Sequence, residues 1–321
     1  MSYTAPPFLA GGRIWMWFKN LVVYRLPADW SLSAAELEGK LATRPLQPCS
    51  PFEMLSRGFV APSGTGRLVH TVNQQHLIAL GVNQKLLPAS IIRQVTLERA
   101  EALAQENGFP VGRRQMRDLK MRVTEELRAK ALTRRRVTRA WIDPVHGWLV
   151  VDAAGAAKAE ELIEFLRDTL GNLAVLFIET ERSPQMSMAV WLKLGEAPLQ
   201  LNIDQDLELK AAKDSKATIR YSQHPLDGKE IQAHLAAGMF PTRLGLTWND
   251  RISFVLNEKM QIKRLEFLEM SKDPTEGATE LNEEEQFDID FTVMAGELAK
   301  LIDDLVAALG NEAQEQRAAA A

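Results

Sequence analysis

Eleven arginines and lysines lie between Arg113 and Arg139, and only Asp118, Glu125 and Glu126 interrupt them. The run holds a surplus of eight positive charges in a chain whose formal net charge is −4. From Glu269 to Asp290, nine acids face the single Lys272. Such polarisation points to a polyanionic partner. Arginine dominates the basic run, and its planar fork can grip phosphate oxygens in pairs.

At about 100° per residue, a helix over Arg113–Leu132 sets Met116, Leu119, Val123 and Leu127 on one stripe. Arg113, Arg114, Arg117, Lys120 and Arg128 line one flank of that stripe, and Asp118, Glu125 and Glu126 fall on the other. An external polyanion would offset the repulsion among the flank cations. Arg134, Arg135, Arg136 and Arg139 carry the charge past the helix. The competing reading is a solvated helix face with pairs such as Glu126–Lys130. No aromatic lies in the run, which argues against a single-strand stacking platform there. Helix-turn-helix, zinc-finger and RNA-recognition signatures are also missing. The natural inference is contact with duplex phosphates and little base readout.

Catalysis finds less support. Gly39-Lys40 and Gly228-Lys229 lack the rest of a phosphate loop, and Gly64-Thr65-Gly66 precedes a strand pattern. His70, His76, His146, His224 and His234 are scattered without metal-ligand spacing and read as turn or surface histidines. Asp288 with Asp290, or Asp303 with Asp304, supplies paired carboxylates for Mg²⁺ in principle, but both pairs read as solvated acids. The acidic run reads as a solvated loop. The expectation is a binding protein with no enzymatic activity, metal, cofactor or small-molecule substrate.

The 321 residues are 46% apolar and 25% charged, which fits two or three folded units. Cys49 stands alone, so no intrachain disulfide forms; a buried thiol in a reducing compartment is expected. No apolar run is long enough to span a membrane. Residues 1–15 read as a mobile leader.

Strands are expected at Leu21–Arg25, Leu68–Val72 with His76–Val82, Ala174–Glu179 and Ile219–Tyr221. A hairpin fits residues 140–152, and a meander fits Thr242–Trp248, Ile252–Asn257 and Ile262–Glu269. Ser31 or Ser33 caps a helix over Ala34–Ala42, and Gly58–Gly66 reads as turn-rich. Further helices fit Ser90–Glu106, Ala156–Leu170, Asp227–Ala237 and Val293–Leu309. The mixture favours an α+β fold, with mixed or antiparallel sheets and flanking helices. The proposed units are 16–88 with 140–210 as a central domain, 89–139 as a basic helical arm, and 211–321 as a C-terminal base domain.

Several segments together resemble the recombination-associated RdgC family. They are Trp17–Arg25, Trp141–Asp152, Lys158–Glu160, Leu166–Gly171 and Glu230–Gly238. Leu244–Trp248, Arg251-Ile252, Phe254-Val255, Lys263–Leu265, Phe287–Asp290 and Met294–Leu298 continue the likeness in order, from about 16 to 313. The resemblance implies a non-enzymatic, cytoplasmic, nucleoid-associated protein. It implies a ring-shaped homodimer whose basic hole encircles duplex DNA with little sequence preference, and which restrains the RecA recombinase by occupying DNA. Arg220, Arg243, Lys263 and Arg264, in matched segments, join the expected DNA-facing cations. The chain departs from the family pattern at 128–139, which lacks the proline and aromatic common there. An alternative function is a protein-interaction module acting directly on the recombinase.

Overall fold

A computed structural model of the chain describes residues 17–211, 217–268 and 282–313. The expected leader and the 269–281 part of the acidic run lie outside the described residues. The chain opens with β1 (Leu21–Arg25), α1 (Ala34–Leu41), β2 (Leu55–Val60), β3 (Val69–Val72) and β4 (Gln75–Lys85). Two helices follow, α2 (Ala89–Asn107) and α3 (Arg113–Lys130). Then come β5 (Thr133–Asp143), β6 (Trp148–Asp152), α4 (Ala156–Leu170), β7 (Leu176–Phe177) and α5 (Pro184–Leu194). The remainder runs β8 (Leu201–Lys210), β9 (Thr218–Tyr221), α6 (Lys229–Ala236), β10 (Phe240–Trp248), β11 (Ile252–Asn257), β12 (Ile262–Phe267) and α7 (Glu283–Ala308).

The architecture is α+β, with one large sheet ordered β2-β4-β5-β6-β1-β12-β11-β10-β8-β9; β3 adds to β4, and β7 to β1. Every named strand pair is antiparallel. The halves of the sheet join through the single register pair Leu21–Ile262. Successive strand residues point to opposite faces, and β1 shows why both faces are apolar. Leu21 and Val23 enter a core with Met188 of α5, Ile231 of α6 and Leu298 of α7. Val22 and Tyr24 enter another with Leu37 of α1 and Leu162 of α4. In the second half Leu244, Leu246 and Trp248 of β10 are core, while Arg243 and Thr247 take the opposite, polar face.

Local chemistry accounts for the element ends. Ser33 caps α1 with Glu36 in a reciprocal box. Asn73 and Gln74 both hold positive φ, as the two-residue β3–β4 turn requires. Gly58 is not a turn residue: it sits in β2, where a Cβ would run into the backbone of Pro45 and Leu46. Ser183 caps the unanticipated α5, with Pro184 in its first turn. Asn282 and Glu285 cap α7, so the acidic run ends as a helix start ten residues ahead of the expected Val293, not as a solvated loop.

His70 and His76 are buried on strands rather than set in turns. His70 Nε2 lies 3.0 Å from Asp288 Oδ1, and its ring meets Phe287 and Phe291 edge-on. His76 Nδ1 is 3.0 Å from the Thr71 hydroxyl. Burial holds the His76 pKa below the usual 6.5, so the unfolded chain takes up that proton first. Its contribution to stability is therefore complete above pH 6.5 and is lost as pH falls through the lower folded-state value. Melting temperatures from pH 7.5 to 5 should fall less steeply for His76→Gln than for wild type. Parallel curves would remove His76 from the account.

The arm is a helical hairpin grown from a β-hairpin. β4 and β5 pair from His76–Ile142 to Lys85–Thr133, and the Leu86 N–H then donates to the Leu132 carbonyl at 2.8 Å. Beyond that rung α2 and α3 leave the sheet; at 1.5 Å per residue α3 extends about 27 Å. The pair has its own small core of Ala100, Leu119 and Val123, with Val95, Leu103, Met116 and Leu127 around it. Helix stops at Lys130, so Thr133–Arg139 of the expected helical arm is strand.

Candidate nucleic-acid interface

Two turns of α3 carry the least encumbered cations. Arg113, Arg114, Arg117 and Lys120 are exposed, and none has a protein partner among the described residues. Of the three acids in the run, Glu126 is engaged elsewhere. Glu126 takes Arg99 of α2 at 2.7 Å and Lys130 at 2.9 Å; these two contacts hold its carboxyl below the usual range. Arg128, at the root of the arm, gives one N–H to the Phe52 carbonyl at 3.1 Å.

β5 divides the remaining arginines. Strand alternation sends Arg134 and Arg136 to the side of α4, and Arg135 and Arg139 to the other side. Arg134 is exposed with no protein partner among the described residues, while Arg136 is bound to Glu161 of α4 at 2.8 Å. Glu161 also takes Arg57 of β2 at 2.9 Å. Arg139 is half-buried; burial lowers its pKa, and the nearby Asp152 carboxylate counteracts. The four β5 arginines thus do not form one surface.

A second group of cations lies on the polar face of the sheet's second half. Glu208, almost fully buried, takes Arg220 at 2.7 Å, Lys210 at 3.6 Å and Arg243 at 3.7 Å, and accepts the Thr242 hydroxyl at 2.9 Å. Burial acts to raise its pKa, but these donors outweigh it and hold the carboxyl below its usual range. Asp206 takes Arg264 at 2.6 Å, and Lys263 reaches the Ala154 carbonyl at 3.0 Å. Neutralising the three cations around Glu208 with one carboxylate leaves positive charge in excess. Spacing alone does not show these carboxylate anchors, which the pairing of β8 with β9 and β10 brings to the cations.

Comparison with known proteins then decides the family. Residues 16–312 match the family model described as "Putative exonuclease, RdgC". The chain belongs to the RdgC family. It is 48% identical over 305 residues to the "Recombination-associated protein RdgC" of Dechloromonas aromatica (strain RCB), covering 94% of this chain and 100% of the relative. The proteins of the same name from Janthinobacterium sp. (strain Marseille) and Herminiimonas arsenicoxydans are 44% and 46% identical; they cover 94% and 92% of this chain, and 100% and 99% of their own lengths.

The RdgC-like segments meet in space. The Trp141 indole donates to Gln75 at 2.6 Å, Trp148 to Asp303 at 3.1 Å and Trp248 to Asp304 at 2.8 Å. Asp303 and Asp304 are therefore not merely solvated: they tie α7 to β6 and β10. Asp288 faces His70, and Asp290 accepts from Gln286 at 2.8 Å. Among the described residues no three His, Cys, Asp or Glu side chains gather as metal ligands, and no helix is long and apolar enough to cross a membrane. Cys49 is half-buried, its Sγ 3.2 Å from the Asn83 carbonyl.

Proposed function

We propose that this RdgC-family chain binds duplex DNA without sequence preference and without cutting it. In this reading it acts as a nucleoid-associated homodimeric ring that encircles DNA and limits access of the RecA recombinase. The observation that carries the reading is the arm: Arg113, Arg114, Arg117 and Lys120, without protein partners among the described residues, occupy the N-terminal turns of α3, and the α2–α3 pair that carries them has a core of its own. The cations around Glu208 and Asp206 add a second, carboxylate-anchored set. Each phosphate contact releases condensed counterions, so affinity falls with salt at a log–log slope of about −0.9 per contact. Five contacts give a slope of about −4.5.

Gel shifts on unrelated duplexes across a salt series test the binding. A slope near zero, or one strongly preferred sequence, defeats it. The nuclease implied by the family description is tested by incubating supercoiled plasmid with the protein and Mg²⁺: the plasmid should stay intact. Retention on closed circular but not linear DNA after a high-salt wash tests encirclement.

A further inference from the structure

The basic run contains no aromatic, yet the fold brings one to it. Phe52 precedes β2 and is 82% exposed; its carbonyl takes the Arg128 guanidinium at the root of the arm. Backbone pairing gathers more apolar surface at the same place. Lys85 N–H donates to the Met54 carbonyl, and Leu86 N–H to the Leu132 carbonyl. Leu132 is 80% exposed and Leu86 51%. The loop is not loose: the buried Lys85 ammonium donates to the Ser50 carbonyl at 2.6 Å and reaches that of Pro51. Glu53, next to Phe52 in sequence, accepts from the Ser50 N–H at 3.1 Å.

We propose that Phe52, with Leu132 and Leu86 beside it, is a base-contacting platform at the root of the arm. Its ring stacks on an unpaired nucleobase, while Arg128 and Arg134 hold the adjoining phosphates. This rests on the DNA-binding reading and deepens it. An acidic peptide with bulky side chains has the same broad complementarity. The observations favour nucleic acid because cations continue from the platform along α3 to its far end, a track suited to a long polyanion. Exposed aromatics beside phosphate-binding cations are the means by which proteins hold bases out of a stack. Stacking one base is worth roughly five- to 150-fold in affinity.

The test measures fluorescence anisotropy of the full chain with a short paired duplex, and with the same duplex carrying a few unpaired thymines. Wild type should bind the bulged duplex about fivefold tighter or more. That ratio should persist as salt rises, because stacking releases no phosphate counterions. Phe52→Ala should erase the ratio without changing the salt slope; Phe52→Trp should keep it. Both variants should melt like wild type, since the side chain is exposed. Equal binding of the two duplexes by wild type, or an unchanged ratio in Phe52→Ala, overturns the platform while leaving duplex binding intact. Loss of a labelled Asp/Phe-rich peptide in Phe52→Ala, with the bulge preference unchanged, assigns the surface to a protein partner and also overturns it. Failure of wild type to bind either duplex defeats the underlying DNA reading instead.

Discussion

Changing Arg113, Arg114, Arg117 and Lys120 together to glutamine is expected to reduce the salt slope of duplex binding by about 3.6, or 0.9 per lost contact. At low salt this is the largest loss of affinity that any four surface changes should produce. The argument starts from a conflict in local chemistry. A helix N-terminus carries partial positive charge and favours acids. The first turn of α3 has none; it opens instead with Arg113 and Arg114, behind a Gly112 cap that offers no side chain. Helix formation alone would not select that arrangement, and broken local rules concentrate where function demands them. Glutamine keeps helix propensity close to that of arginine and lysine, and all four side chains are exposed while Leu119 and Val123 are buried. The melting temperature should therefore hold or rise slightly while binding collapses. Two other exposed lysines, Lys193 and Lys229, serve as the control: glutamine there should leave the slope unchanged. A quadruple variant with the wild-type slope would remove the arm from the interface.

What could be read from sequence follows from what each signal depends on. The β5–β6 hairpin, α4 with its Gly171 stop, and the β10–β12 meander are local patterns of alternation, period and turn residues, and they form as expected. Gly58 was misleading because its reason is tertiary: the Pro45–Leu46 backbone passes over β2, a contact that leaves no local trace. His70 reads as a surface residue for a similar reason, since a polar residue on a strand looks exposed until α7 packs over β3. Charge density in α3 was legible because a helix keeps i, i+3 and i+4 residues together. Along β5 the same density was deceptive. Four arginines within six positions seem one patch, but a period of two divides them between faces, and only partners distant in sequence decide which stay charged toward solvent.

Glu161→Gln probes that division. The Glu161 carboxylate is only 12% exposed and bridges Arg57 and Arg136, which flank Val82 across β2, β4 and β5. Removing its charge leaves two guanidinium groups facing each other with one amide oxygen between them. Breaking a well-buried pair costs more than losing an exposed one, and because both arginines retain contact with water the expected loss is about 2 kcal/mol. Unfolding by urea should register it as a lower midpoint with an unchanged m-value. The consequence for DNA has the opposite sign. Arg136 is one of the cations proposed to face phosphate, and Glu161 cancels it in the free protein. Without that carboxylate, duplex affinity at low salt should rise and the salt slope should steepen by about 0.9. A protein that is less stable yet holds DNA more tightly would place Arg136 in the interface, with Glu161 as the group DNA must displace. Lower stability with an unchanged slope would leave Arg136 to the fold alone, and the interface to the arm and the Glu208 face.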